Sequence, residues 1–172
     1  MYNVDKGVTS MITCAELKEL LDYDPSTGVF RWKISPSNNI PVGMIAGSNR
    51  SYGYVKISVK SKKYWAHRLA WLWVYGSFPV KHLDHINGIC NDNRIDNLRE
   101  CNDLENAQNV KMPKHNTSGY MGVSRNGNRW RAVIKNKGKN KYLGYYNTPE
   151  EAHQAYIIAK AQIHNFQPTI RA

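Results

Sequence analysis

The sequence lacks the features of a membrane protein and of a disulfide-bonded one. No apolar run is long enough to cross a membrane, and the N-terminus shows no signal pattern. The three cysteines, Cys14, Cys90 and Cys101, are widely spaced and form no C-x-x-C pair. The sequence therefore predicts neither a disulfide framework nor a four-thiolate zinc site. We expect a cytoplasmic protein with reduced thiols and no membrane partner.

Acidic residues are scarce in the last third of the chain, and this scarcity points to a polyanionic partner. The formal net charge is +11. Residues 111–172 contain 11 Lys and Arg against Glu150 and Glu151 only, whereas residues 1–110 contain 13 against 11 Asp and Glu. A basic segment binds polyanions by releasing their counterions. Because the basic residues alternate with aromatic ones and form no amphipathic basic helix, the pattern favours nucleic acid over a membrane surface or a merely solvated face.

The local patterns predict a mixed α+β protein. The 172 residues, 41% of them hydrophobic, suffice for one domain of ordinary size or two small ones. Capping boxes predict three helix starts, at Thr13, Asn102 and Thr148. Alternation and turn residues predict strands over 29–33, 54–59, 63–66, 80–85, 98–101, 120–125, 129–135 and 141–146, and apolar spacing predicts helices over 13–21, 67–75, 102–110 and 149–165. Residues 111–117, which include Pro113, read as a linker between two modules.

A dense group of Asp, His and Asn residues lies in the middle of the chain. It runs Asp84-His85-Ile-Asn-Gly88, then Asp92-Asn-Arg-Ile-Asp-Asn-Leu-Arg99, then Glu105-Asn106-Ala-Gln-Asn109, after an upstream His67-Arg-Leu-Ala-Trp71. Over residues 12–110 the chain resembles the HNH endonucleases, in the form common in phage and intron-borne homing enzymes. The resemblance implies an N-terminal nuclease module over residues 1–110, with a ββα-metal core at about 80–110.

The resemblance also implies a role for each residue of the motif. His85 would be the general base that takes a proton from the attacking water, and Asn97 would orient His85 and brace the loop. Asp84 and Asn106 would bind one divalent metal ion. Because both offer oxygen, Mg²⁺ or Mn²⁺ fits better than Zn²⁺. Arg94 and Arg99 would either clamp DNA phosphate or form ordinary salt bridges. His67 and His82 would be structural or surface residues, with a contact to the site left open.

Residues 117–165 resemble a second family, the ethylene-response-factor type of DNA-binding domain. The matching segments are Ser118-Gly-Tyr-Met-Gly-Val123, Arg129-Trp-Arg-Ala-Val-Ile-Lys135, Tyr142-Leu-Gly-Tyr-Tyr146 and Thr148-Pro-Glu-Glu-Ala-His-Gln-Ala-Tyr156. The resemblance implies that residues 118–172 form a three-stranded antiparallel sheet packed on a helix, with the basic face of the sheet in the DNA major groove. The DNA contacts expected in this unit are Arg125, Arg129, Arg131, Lys135 and Tyr142.

Together these patterns predict a metal-dependent endonuclease of double-stranded DNA, targeted by its C-terminal domain. One alternative is a DNA-binding regulator with an inactive HNH scaffold, and another is a nuclease or binding protein for structured RNA. The sequence leaves both a monomer and a dimer open.

Overall fold

The computed structural model describes residues 11–49, 53–109, 112–113 and 115–167. These residues fall into two compact units, the first ending at Glu100 and the second beginning at Cys101. Each unit mixes helices with antiparallel strands, which confirms the predicted α+β class. None of the helices among the described residues is long and apolar enough to cross a membrane.

In its described residues, the first unit surrounds an apolar core with two helices and three small sheets. Its elements are α1 (Cys14–Leu20), β1 (Leu21–Asp24), β2 (Val29–Trp32), β3 (Ser48–Asn49), β4 (Val55–Val59), β5 (Lys62–Trp65), α2 (Ala66–Tyr75), β6 (His82–His85) and β7 (Leu98–Cys101), whose last residue opens the second unit. β1 pairs with β2, β4 lies between β3 and β5, and β6 pairs with β7. The core buries Leu17, Leu21, Phe30, Ile57 and Leu69 almost completely. Leu98 belongs to the same core, so burial of its side chain fixes the start of β7.

Strand β1 was not expected, because the sequence pattern continued the first helix through Leu21. The Thr13–Glu16 capping box forms as predicted, but the helix ends at Leu20. Leu21 and Tyr23 are buried while Asp22 and Asp24 are exposed, which is the alternation of a strand. Leu21 satisfies both the helical spacing and the strand alternation, and its pairing with Trp32 selects the strand.

The second unit is a three-stranded antiparallel sheet covered by one helix. Its elements are α3 (Asp103–Asn106), β8 (Val123–Asn126), β9 (Arg129–Asn136), β10 (Lys139–Tyr146) and α4 (Pro149–Ile163), with β9 in the centre of the sheet. The tight turns fall at Asn126-Gly127 and Lys137-Gly138 as predicted, and both glycines have positive φ. The boundary predicted at residues 111–117 stays a prediction. Val110 and Lys111 lie outside the described residues.

Packing between sheet and helix depends on small residues. Ala132 on β9 and Ala152 on α4 are fully buried in one cluster, and Ile134 packs with Tyr156 in the other. Gly122 has a φ of +75°, and a Cβ there would lie 2.1 Å from Cδ2 of Tyr156. A side chain at position 122 would therefore hold the helix away from the sheet.

Candidate functional site

His85 is held at the end of β6, where a hydrogen-bonded loop begins. Its side chain is only 3% exposed, and that of the preceding residue, Asp84, only 7%. The loop is closed by the backbone N–H of Ile86, which donates to the carbonyl of Asn97 at 2.8 Å. A turn follows at once, because the N–H of Gly88 donates to the His85 carbonyl at 2.9 Å. These two bonds fix the backbone that follows His85, and the pairing of β6 with β7 holds the strand that leads to it.

The His85 ring is held by the side chain of Asn93. Its Nε2 lies 3.2 Å from Oδ1 of Asn93, and both side chains are buried. In the tautomer whose Nε2 carries the hydrogen, Nε2 donates to this amide oxygen and Nδ1 keeps a lone pair. The Asn93 backbone is anchored in turn, since its carbonyl accepts a hydrogen bond from the Tyr23 hydroxyl at 2.7 Å. An imidazole held in one tautomer, with one basic nitrogen, is the arrangement that a general base needs.

Aromatic rings pack around His85. The ring of His67 meets it edge to face at 5.2 Å between centroids, and the Tyr54 ring lies at 5.8 Å. Trp65 stacks on His67 at 6.2 Å. Burial is the main cause that lowers the pKa of His67 to about 3, and the neighbouring His85 and Arg68 lower it further. His67 is therefore a neutral ring beside the candidate base at physiological pH.

Asn97 braces the loop through both ends of its side-chain amide. Its Oδ1 accepts from the backbone N–H of Asn87 at 3.0 Å, and its Nδ2 donates to the carbonyl of Asp92 at 2.8 Å. It sits in a 3₁₀ turn, Ile95–Asn97, just before β7. The amide seen at the His85 ring is that of Asn93, whereas Asn97 supports the loop that carries Asn93. The catalytic role expected for Asn97 stays a prediction.

Arg94 and Arg99 both form salt bridges inside the first unit. Nε and Nη2 of Arg94 donate to the two carboxylate oxygens of Asp92 at 2.8 and 2.7 Å, and this pairing lowers the pKa of Asp92 to about 2. Nε and Nη2 of Arg99 both donate to Oδ2 of Asp84, at 3.1 and 2.9 Å. Of the two roles expected for these arginines, the structure shows the salt bridge. The DNA-contact role stays a prediction.

Asn106, the other expected metal ligand, lies in the second unit as the last residue of α3, and it is exposed. The predicted capping box forms at the start of this helix, where Asn102 and Glu105 exchange hydrogen bonds of 2.9 and 2.8 Å. Within the described part of the chain, no three His, Cys, Asp or Glu side chains cluster as they would around a metal ion. That Asp84 and Asn106 share an ion stays a prediction.

The exposed face of the second unit's sheet is basic and aromatic. Arg129, Arg131 and Lys135 on β9 are exposed, while Ala132 and Ile134 between them are buried against the helix, as the alternation predicted. On β10, Tyr145 pairs with Arg131 and Tyr142 with Val133, so both tyrosines lie on the basic face. We call this surface, made of Arg129, Arg131, Lys135, Tyr142 and Tyr145, the basic sheet face.

Arg125 does not lie on the basic sheet face, and its expected contact with DNA stays a prediction. In the β8–β9 register Arg125 is directly opposite Trp130, so the two side chains share a face. That face is the helix side, since Trp130 packs against the core cluster. The guanidinium lies 5.9 Å from the Trp130 ring centroid, and its Nε donates to the carbonyl of Gly127 at 3.2 Å. Alternation alone does not determine strand register, and without the register Arg125 could not be separated from Arg129 and Arg131.

Sequence reasoning also missed Asn93. It lies inside the Asp92-Asn-Arg94 segment of the motif, so the spacing contained it. Motif spacing does not say which of several amides reaches the ring, however, because that depends on how the loop turns back. Burial is the property that separates Asn93, at 2% exposure, from its exposed neighbour Asn91.

Comparison with known proteins finds a family match for one segment in each half of the chain. Residues 64–108 match the family model of the HNH endonucleases, and residues 118–165 match that of the AP2 domain. Protein 3.8 of Escherichia phage T7 is 38% identical over 76 residues, which make up 42% of this chain and 63% of the phage protein. The match thus spans less than two thirds of that relative. A solved structure described as "DNA binding and cleavage by the HNH homing endonuclease I-HmuI" aligns with 85% of this chain and 86% of that one, at 16% identity and a TM-score of 0.41.

Proposed function

We propose that this chain, which carries an HNH endonuclease domain and an AP2 domain, is a metal-dependent endonuclease that hydrolyses phosphodiester bonds in double-stranded DNA. One observation carries the proposal. Within the residues that match the nuclease family, His85 is buried at a strand end and its Nε2 lies 3.2 Å from Oδ1 of Asn93, an arrangement that favours the tautomer with a basic Nδ1.

His85 supplies the base of the reaction. Its Nδ1 takes a proton from a water molecule, the water oxygen attacks phosphorus, the bond from phosphorus to the 3′ oxygen breaks, and the leaving 3′ oxygen takes up a proton from solvent water. The products are a 5′-phosphate and a 3′-hydroxyl. A general base of this kind contributes about 10²–10⁴ in rate. Asn93 keeps the ring in one orientation throughout.

The donor set fits a hard divalent ion. Asp84 offers a carboxylate and Asn106 an amide oxygen, and both are ligands that Mg²⁺ and Mn²⁺ accept. When bound, such an ion supplies positive charge to the leaving 3′ oxygen and to the phosphate. Arg99 holds the Asp84 carboxylate by Oδ2 and so sets the orientation in which this ligand is presented.

The second unit supplies the affinity for DNA in this proposal. Arg129, Arg131 and Lys135 stand on one exposed face, alternating with the residues that build the core. Arginine reads guanine edges or binds phosphate, and lysine more often binds phosphate. Tyr142 and Tyr145 add ring surface beside them.

Cleavage of supercoiled plasmid tests the nuclease. We expect cleavage with Mg²⁺ or Mn²⁺ and none with a chelator, and we expect His85→Ala to lower the rate by about 10²–10⁴ while DNA binding persists. His115→Ala is the matched control, since His115 is an exposed histidine of the second unit. Mapping the product ends checks the bond that is cut. Wild-type cleavage by His85→Ala would refute the assignment of the base.

Gel-shift affinity across salt concentrations tests the basic sheet face. Replacing both Arg129 and Arg131 by Ala should weaken binding and reduce the slope of log affinity against log salt by about 2, because each lost phosphate contact removes about 0.9. Arg125→Ala is the control, because Arg125 lies on the helix side of the sheet. If Arg125→Ala and the double variant behave alike, this face is not the DNA contact.

The alternative is a DNA-binding regulator whose nuclease module is inactive. The pairing of Asp84 with Arg99 favours it, because an incoming cation competes with a guanidinium already held by two hydrogen bonds. The plasmid assay separates the two functions, since a regulator binds DNA with the same salt dependence and leaves the plasmid supercoiled.

A further inference from the structure

Within the second unit, a buried lysine on α4 contacts the segment that follows α3. Lys160 is 2% exposed, and its Nζ donates to the backbone carbonyl of Gln108 at 2.9 Å. The same Nζ lies 3.2 Å from Nδ1 of His164, one helical turn further along, which is 5% exposed. The other buried residues of α4 are Ala152, Tyr156 and Ala159, so the ammonium is an exception on a face built of apolar and aromatic side chains.

His164 extends the connection to the sheet. Its Nε2 lies 2.7 Å from the backbone carbonyl of Lys135, on β9. A single tautomer satisfies both contacts, since Nε2–H donates to this carbonyl while Nδ1 accepts from the Lys160 ammonium. Burial and the charge of Lys160 both lower the pKa of His164, which favours the neutral ring that can accept. We call the linked residues Gln108, Lys160, His164 and Lys135 the α4 clamp.

Gln108 is held at a second point through its side chain. Its Oε1 accepts from the backbone N–H groups of Phe166 and Gln167, at 3.2 and 3.4 Å. Its own N–H donates to the carbonyl of Glu105 at 3.0 Å, and the N–H of Asn109 donates to the carbonyl of Asn106 at 3.1 Å. Fixing Gln108 therefore fixes the last turn of α3, which carries Asn106.

Helix α3 needs such an anchor. It has four residues, far fewer than the 12–15 or so that an isolated helix requires for marginal stability in water. The capping box of Asn102 and Glu105 secures its start, and the α4 clamp secures its end. An apolar side chain of similar volume would fill the place of Lys160 at lower desolvation cost, and buried charges have their best-attested use in fixing one arrangement among several.

We propose that Lys160 and His164, at the C-terminal end of α4, are positioning residues for Asn106, so that helix α4 sets the place of this expected metal ligand. The inference rests on the proposed function for its effect on cleavage. Lys135 contributes its side chain to the basic sheet face and its carbonyl to the clamp, so one strand takes part in both. The AP2 domain then contributes to the rate of cleavage as well as to affinity.

The test compares Lys160→Met with Lys141→Met in the 172-residue chain. Both variants lose one positive charge of the second unit, but Lys141 is exposed on β10. We expect Lys160→Met to speed hydrogen exchange at the amides of residues 106–109, to leave gel-shift affinity equal to that of Lys141→Met, and to slow single-turnover cleavage by about 10- to 100-fold, the effect of a displacement near 1 Å. Lys160→Arg keeps a donor for the Gln108 carbonyl and should restore most of the rate.

A second pair of variants, at His164, tests the inference even if Lys160→Met does not fold. His164→Gln keeps an acceptor for Lys160, whereas His164→Leu removes it, so cleavage should fall more in the leucine variant at equal thermal stability. The inference is overturned if Lys160→Met matches Lys141→Met in exchange and in cleavage, or if its DNA affinity and cleavage fall by the same factor. A wild-type protein that binds DNA without cutting it would refute the proposed function instead, and the exchange data would still decide whether the clamp holds residues 106–109.

Discussion

Replacing Asn93 by Ala should slow DNA cleavage without weakening DNA binding. The change removes the amide that lies 3.2 Å from Nε2 of His85, in a place where both side chains are buried. It spares the Asn93 backbone carbonyl, which holds the Tyr23 hydroxyl. The perturbation is therefore confined to the orientation and tautomer of the His85 ring.

The size of the effect follows from the burial of the pair. An N–H group left without an acceptor in a buried place costs about 1–3 kcal/mol. If the His85 ring instead rotates to reach another acceptor, the cleavage rate falls because Nδ1 is displaced from the attacking water. Since about 1.4 kcal/mol corresponds to a tenfold change in rate, the single-turnover rate should fall by about 5- to 150-fold. This loss is smaller than the roughly 10²–10⁴ expected when the base itself is removed.

The assay is single-turnover plasmid cleavage with Mg²⁺, run beside a gel shift. Asn91→Ala is the matched control, because Asn91 belongs to the same loop and is exposed. Asn93→Asp keeps an oxygen at the acceptor position and should retain more activity than Asn93→Ala. A cleavage rate for Asn93→Ala equal to that of Asn91→Ala would refute the reasoning. So would an equal loss in DNA affinity, since the fold of the loop would then be the cause.

Two further predictions concern stability. Gly122→Ala should lower the free energy of unfolding of the second unit by about 2–5 kcal/mol in thermal or denaturant unfolding, because left-handed strain costs about 1–2 and overpacking against Tyr156 about 1–3. Gly127→Ala has a φ of +60° but open space around it, so only the strain should appear. For the first unit, the folded pKa of His67, about 3, lies below its ordinary 6.5. Unfolding therefore takes up a proton between these values, and stability should fall by up to about 1.4 kcal/mol per pH unit as the pH drops from 6.5 towards 5. Denaturant titrations should show a steeper slope in the wild type than in His67→Gln, in which the lowered pKa of His164 still contributes.

Local rules predicted the parts of the fold that depend on neighbours in sequence. The capping boxes at Thr13 and Asn102 form as expected, because their hydrogen bonds join residues three apart. The alternation on β9 places Arg131 outside and Ala132 inside for the same reason. Sequence alone was sufficient wherever the deciding contact spans a few residues.

Contacts between distant residues decided the rest. Arg125 follows the same basic pattern as Arg129, and only the pairing of Arg125 with Trp130 places it on the helix side. The motif contains several asparagines, and only the return of the loop brings Asn93 to the His85 ring. The sequence pattern does not distinguish Lys160 from an exposed lysine on a helix. Its contact with Gln108, 52 positions earlier in the chain, appears only in the folded structure.

The two units differ in how their arginines are paired. From this difference we expect DNA affinity to depend mainly on the second unit and the cleavage rate on the first. In the first unit, Arg94 and Arg99 are bound to carboxylates of the motif, so binding DNA through them would first require breaking a salt bridge. In the second unit, Arg131 lies between neutral cross-strand neighbours, Ser124 and Tyr145. Counterion release on DNA binding should therefore come mainly from the second unit. Substitutions on the basic sheet face should change the salt dependence of affinity, whereas substitutions around His85 should change the rate at saturating DNA. A variant of Arg94 that alters the salt slope as strongly as one of Arg131 would show that this division is wrong.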